Sequence, residues 1–476
     1  MLQMSKFKQY FSVRNLAFFA LPVAVTLALA IPSAKTKTIY AGLVKAPSAF
    51  ANSDQQEQIE QKVAAIAAKY DAALSATTAP NPGIENWTEI QRKAQENLRI
   101  VQEESTKNLI ALGPGVVPVL LKLKDTRSCG WALPIVLENL GESATDPILD
   151  YLRLGGQNYY IFGNYFKNEG TKGTDKLALL LNSASLKVRE TGATALGDVL
   201  QYGASLSPST VHTVCQKSKT DDSPRVRAAI LTLLGRIGPR NDEVRTSIEN
   251  GLTLDPDPTV RAAAVNCLAE FSRLQNFERN DEISKLIIQA LLHDDSPIVR
   301  GNCANTLGSS KLSPTLAIPA LQQALHDNYS SVQDQSLSAL MRYGSLASPV
   351  VPDLVKMLQT GSPKAPAIAS ALAQIGPSAH EALPELDKLL ESEDIQVRTA
   401  AIAAESGIRR EAYVPVLTKL LFDSDWQIQS AAANGLSQMG WRARSASGAL
   451  KELEQQTKNQ NVKYTVQNAL RVIDGG

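Results

Sequence analysis

Only 5% of this 476-residue chain is aromatic, and it holds just four histidines and four cysteines. Each scarcity narrows what the protein can be. With so few large rings a core must be built from Ala, Leu and Val, which suits closely stacked helices. Cys129, Cys215, Cys267 and Cys303 show neither CxxC spacing nor a zinc pattern, and nothing in their placement signals a disulfide. There is no P-loop, no G-x-G-x-x-G after a strand, no H-E-x-x-H and no G-x-S-x-G, which removes the commonest nucleotide, zinc-protease and serine-hydrolase chemistries. No catalytic, cofactor or metal site is expected. The formal charge is +1, yet Lys6, Lys8, Arg14, Lys35, Lys37 and Lys45 all precede the first acid, Asp54. Without residues 1–51 the balance is −5, which argues against a nucleic-acid partner.

What the chain does have is one pattern written many times. Asp221–Pro239 reads DDSPRVRAAILTLLGRIGP, with Val226, Ile230, Leu233, Leu234 and Ile237 on one face of a helix. Asp222 and Ser223 offer N-cap oxygens, Pro224 suits the first turn, and Gly238-Pro239 predicts a left-handed stop. Aligned on Arg227, the pattern recurs at Arg189, Arg261, Arg300, Gln333, Ala365, Arg398, Gln429 and Lys463, at spacings of 31 to 39 residues. Seven positions after this register stand Leu196, Leu234, Leu268, Leu307, Leu340, Leu372, Glu405, Leu436 and Leu470, a core knob broken once. A shorter apolar segment precedes each helix, as in Ile318–Leu325 or Val350–Leu358. The unit is therefore two helices, and a helical pair at this period buries its apolar face only against the next pair. The predicted fold is an all-α solenoid.

The wording of the second helix, roughly V-R-x-x-A-x-x-x-L-G-x-I-G, resembles the HEAT-like repeat of the phycobilin lyase type. Val226-Arg227 to Gly238, Val260-Arg261 to Leu268 and Val299-Arg300 to Gly308 carry the match, which spans about residues 112–473. The resemblance implies an armadillo-type superhelix. It also implies that a turn aspartate pairs with the second-helix Arg, and Asp221, Asp255, Asp294, Asp327 and Asp423 stand six residues before their registers. Such a row is a structural tie. Deoxyhypusine hydroxylase, an enzyme of HEAT-like repeats, uses several His-Glu pairs, whereas this chain has only His380-Glu381.

Five positions after the register come Thr194, Thr232, Asn266, Asn305, Ser338, Ser370, Ala403, Asn434 and Asn468. At 100° per residue this position points well away from the leucine knob. In related solenoids the second helix lines the inner wall, and armadillo repeats hold an extended peptide by its backbone with a comparable Asn row. The alternative is that small polar residues merely let neighbouring helices pack closely.

Residues 1–51 read as an export signal or membrane anchor: Lys6, Lys8 and Arg14 precede Leu16–Ile31, an uncharged, mostly apolar run of 16 residues. Cleavage is expected after Ala30 or Ala51. Residues 52–111 are expected to be two helices, Asp54–Leu74 with a seam of Ile59, Val63, Ile66, Tyr70 and Leu74, and a second capped at Asn86, joined by a linker over 75–83. They are placed to cap the solenoid of 112–473. Pro114–Leu140 is a degenerate repeat.

Two stretches break the pattern. Tyr151, Tyr159, Tyr160, Phe162, Tyr165 and Phe166 concentrate six aromatics in 16 residues; they suit a binding surface, or a helix filling a distorted repeat. At 398–414, Glu405 occupies the leucine slot and Ala403 the polar one. The helix must rotate, end early near Gly407, or find Glu405 a cation such as Arg409 or Arg410. A break in regular curvature is expected there, as a hinge or a docking notch; otherwise a slipped register turns Glu405 to solvent. Consecutive turns carry His293-Asp294-Asp295 and His326-Asp327, but repeats about 10 Å apart are too distant to share metal ligands. Taken together, the chain reads as an exported or membrane-tethered scaffold that binds a protein or extended peptide, not an enzyme. A phycobilin lyase-like or chromophore-detaching factor is the alternative.

Overall fold

The computed structural model describes residues 53–78, 87–123, 130–156, 159–272, 280–310 and 312–475, without the side chains of Ser53, Tyr159, Tyr160, Ile161 and Asn280. The export segment, Asn86 and Cys129 lie outside the described residues. Among those described, every regular element is helical, and no helix is long and apolar enough to cross a membrane. Two compact units divide the chain at Val136/Leu137.

In the first unit, helix Ser53–Thr78 lies along helix Trp87–Ala111. Val63 and Ala67 are fully buried, and the seam packs Tyr70 and Ala73 against Val101, with Leu74 and Leu98 half-buried beside them. Tyr70 meets Trp131 with ring centroids 4.9 Å apart. The first helix outruns its predicted end by four residues, because Ser75, Thr77 and Thr78 turn their hydroxyls back onto the carbonyls of Asp71 and Leu74 instead of breaking the helix. Only the rest of the expected linker, residues 79–83, lies outside the described residues.

The second unit is a run of helical pairs. Second helices Leu186–Gln201, Pro224–Ile237, Pro258–Ser272, Pro297–Ser310, Ser330–Tyr343, Ala365–Ile375, Ile395–Arg409, Trp426–Met439 and Gln460–Asp474 each pack on the next, making one layer. First helices such as Pro208–Thr220, Asp242–Thr253 and Asn280–His293 make the other. Leu196, Leu234, Leu268, Leu307, Leu340, Leu372 and Leu436 are each fully buried, while Leu470 is half-buried. Cys215, Cys267 and Cys303 are free, buried thiols that fill space between helices; burial pushes Cys267 up to about 12 and raises Cys303 too.

Glycine, where neighbouring second helices meet, is a spacing device. A Cβ on Gly308 would sit 2.5 Å from Ala339 Cα, and one on Gly435 would sit 2.6 Å from Ser406 Oγ. The helix stop at Gly238 has positive φ as expected, but its ψ of 170° is extended, not left-handed helical. Pro239 is the reason, since its ring excludes helical ψ from the residue before it. Ser223 is the N-cap of the same helix without a side-chain cap bond; instead Asp221 Oδ1 accepts its backbone N–H at 3.0 Å.

Candidate partner-binding site

The register side chains tie repeat to repeat. Arg189, Arg227, Arg261 and Arg300 each grip the turn aspartate of the following repeat with two nitrogens: Asp221, Asp255, Asp294 and Asp327. The third nitrogen of each turns back to a carbonyl of its own turn, as in Arg227 to Asp221 O at 3.0 Å. Gln333 and Gln429 keep only that backward bond, to Asp327 O and Asp423 O. Burial by itself raises Asp221 and Asp294, but the backbone N–H of Ser223 or Ser296 and the facing guanidinium outweigh it and hold both below the usual carboxylate range. On Asp327 the bond from Arg300 leads, with the same result. Every guanidinium nitrogen so used is engaged inside the protein, which makes this ladder a fastening.

The polar row faces outward. Thr194, Thr232, Asn266, Ser338, Asn434 and Asn468 are exposed, and Asn305 and Ser370 are half-exposed. Close helix packing is carried elsewhere, by glycines and small residues six and eight positions after the register, such as Gly308 against Ala339. So the packing explanation for the row fails at most positions. Thr194, Thr232 and Ser370 bond the carbonyl one turn back, at Glu190, Ala228 and Pro366. Asn305 is the exception: its Oδ1 accepts from Arg342 of the next repeat at 2.8 Å, so it also ties the layer together.

Three second helices, Ala365–Ile375, Ile395–Arg409 and Trp426–Met439, frame an open trough of about 600 Å³. Ala400, Ala403, Ala431 and Gly435 make its apolar lining; Ser370, Gln396, Thr399, Asn434, Ser437 and Gln438 ring it with neutral hydrogen-bonding groups, and Pro366 and Ala367 complete it. None of these residues is ionisable. Ala403 is the gap in the polar row, and its small side chain opens space between Ser370 and Asn434. Composition at that single position hinted at a notch; the trough itself needed three helices brought side by side.

The aromatic stretch does not form a surface at Tyr165. That ring is only 4% exposed, with its hydroxyl 2.6 Å from Thr145 Oγ1 and donating to Gly141 O at 3.0 Å, and burial raises its pKa. Phe162 and Phe166 are buried beside it, Phe166 edge-on at 5.1 Å. The rings fill the irregular repeat, whose helix Tyr159–Ala178 is kinked at Gly170. Tyr165 is thus withdrawn as a binding residue, and the side chains of Tyr159 and Tyr160 lie outside the described residues.

Glu405 keeps the leucine slot. It is fully buried, which overturns both the rotated helix and the slipped register, and the helix continues to Arg409, which overturns early ending. Of the two cations considered, Arg409 answers: its Nε donates to Glu405 Oε2 at 2.8 Å. Gly407 serves another purpose, since a Cβ there would approach Ala373 O at 2.8 Å. Helix and register both run unbroken through this stretch.

Stacked helical pairs fastened by an Arg–Asp ladder define an α-solenoid repeat protein. The chain belongs to the HEAT-repeat family, whose model matches residues 174–269, 284–373 and 383–472. No curated protein matches the chain. Among solved structures it is similar to yeast importin-beta (Kap95p), at 14% identity over 86% of this chain and 56% of that one, with a TM-score of 0.47. It is also similar to the complex of CpcE and CpcF of phycocyanin lyase from Nostoc sp. PCC7120, at 22% identity over 50% of this chain and 96% of that one, TM-score 0.32. An engineered protein matches at 19% identity over 86% and 99% of the two chains, TM-score 0.30.

Proposed function

We propose that this protein is an exported or membrane-tethered scaffold that holds an extended, uncharged segment of a partner protein along its second-helix layer. One observation carries the reading: the trough over Ala403 joins Ser370 and Asn434 of the polar row and is lined throughout by neutral side chains. Such a lining offers donors and acceptors at repeat spacing and no charge to neutralise, which suits a peptide backbone better than a phosphate or a carboxylate. The basic start and apolar run before Asp54 support export. The test places a photo-crosslinking residue at Asn434 and, as control, at Glu452 in the first-helix layer of the full chain in its native cell envelope. A discrete adduct from Asn434, absent from Glu452 and abolished by Ala403→Trp, is the expected result. Equal labelling from both positions, a cytosolic full-length product, or a bilin that binds and colours the purified protein would overturn it.

A further inference from the structure

The leucine slot at 405 holds a carboxyl group inside the core, and its surroundings give that group a job. One oxygen accepts from Arg409 Nε. The other, Oε1, has no hydrogen-bond partner within the protein, and neither has the buried hydroxyl of Tyr413, which faces the same carboxyl group. Arg409 reaches onward with Nη2 to both oxygens of Asp387, at 3.0 and 2.9 Å. The four groups therefore come from three consecutive pieces: first helix Leu383–Leu389, second helix Ile395–Arg409 and the turn Arg410–Tyr413.

No other charge shares this pocket. The neighbouring second helices Ala365–Ile375 and Trp426–Met439 contain no ionisable residue, and the turn Gly376–Ala382 has only His380 and Glu381, both exposed. On the first helix, Glu385 is engaged with Lys388; on the turn, Arg410 is exposed and Glu411 pairs with Arg442; and on helix Val414–Leu420, which packs on that turn, the one charged residue, Lys419, is exposed. One guanidinium thus serves two carboxylates. If both are ionised, the site keeps one uncompensated negative charge, and one of its two carriers is fully buried; if Glu405 carries a proton, one cation balances one anion.

We propose that Glu405, Asp387, Arg409 and Tyr413 form a proton-operated latch: with a proton on Glu405 the first helix, the second helix and the turn of this repeat are locked together, and loss of the proton lets the repeat loosen. Burial, then the neighbouring Asp387, pushes the Glu405 carboxyl up to about 7, against the pull of Arg409, so the latch works near neutrality.

The test uses the full chain and two readouts, amide hydrogen exchange normalised to intrinsic rates, and the carboxyl carbon resonance of Glu405. Protection of residues 383–413 should fall at least tenfold between pH 6 and pH 8 while that of residues 189–300 stays constant, and the carboxyl should titrate near neutrality. Glu405→Gln keeps the shape and a donor, so its protection should not depend on pH. A carboxyl midpoint below pH 5, or the same pH dependence in Glu405→Gln, overturns the proposal. Should that variant fail to fold, the resonance of the unaltered chain decides alone.

Discussion

Arg227 of one repeat holds Asp255 of the next through paired bonds of 2.7 and 2.8 Å while anchoring itself to the carbonyl of Asp221 in its own turn. The contact couples three segments with one side chain, and both partners are buried, at 9% and 8% exposure. Removing one partner leaves the other's charge uncompensated, so Arg227→Ala or Asp255→Ala should each cost about 3 to 5 kcal/mol in urea unfolding. Arg227→Met with Asp255→Leu should recover most of that loss. Equal losses in single and double variants would show that the backbone anchors, not the ion pair, carry the energy.

The depressed aspartates of the ladder set its acid limit. Asp221, Asp294 and Asp327 bind protons less readily folded than unfolded, so their contribution is complete above the ordinary value near 3.8 and is lost as pH falls through their lower folded values. Thermal unfolding between pH 5 and pH 2 should show a steep loss of stability over the lower half of that range. Because the pairs are largely buried, salt should shift the curve little.

Among the described non-glycine residues, Arg410 alone has φ in the range that favours glycine, at φ 49° and ψ −128°. Gly344, Gly376 and Gly440 adopt the same conformation at the ends of their second helices. They stand 11 residues after the register and Arg410 stands 12, since this helix runs one residue longer. That region belongs to glycine, and holding a side chain in it costs about 1 to 3 kcal/mol. Arg410→Gly should raise the melting temperature accordingly. An unchanged or lower value would mean that the Arg410 side chain makes an offsetting contact.

Inside and outside on the second helix are separable by two neighbours. Leu268 is fully buried and Asn266 exposed, so Leu268→Ala should cost about 2 to 5 kcal/mol and loosen adjoining repeats, whereas Asn266→Ala should stay within about 0.5 kcal/mol. Comparable losses from the two would invert the assignment.

The parts of this fold legible in sequence are those specified within one repeat. The leucine knob, the register Arg and the capping turn sit at fixed local offsets, and the partner of Glu405 was readable because Arg409 is one helical turn away. What escaped was set between repeats or between elements. Gly407 looked like a stop signal, but its reason is a carbonyl at Ala373, more than thirty residues earlier. Tyr165 looked like a surface residue because a phenol suits either setting; only Thr145 and Gly141, supplied by another element, make burial affordable. The trough was half visible, since Ala403 marked it while its walls come from two other helices.

Glu405→Leu joins these threads in one measurement. Leucine is what the slot holds in every other repeat, and replacing a buried charge pair with apolar packing is commonly neutral or stabilising by about 1 to 4 kcal/mol. Arg409 would keep Asp387, so no cation is stranded. The gain must depend on pH. Glu405 has a folded value near 7, above the ordinary 4.5, so the unaltered protein loses stability as pH rises through that window, by about 3 kcal/mol at most. Leucine removes the proton linkage altogether, and the melting-temperature difference between Glu405→Leu and the parent should therefore be small at pH 4.5 and largest at pH 8. A difference that is constant with pH would show that packing alone separates the two side chains.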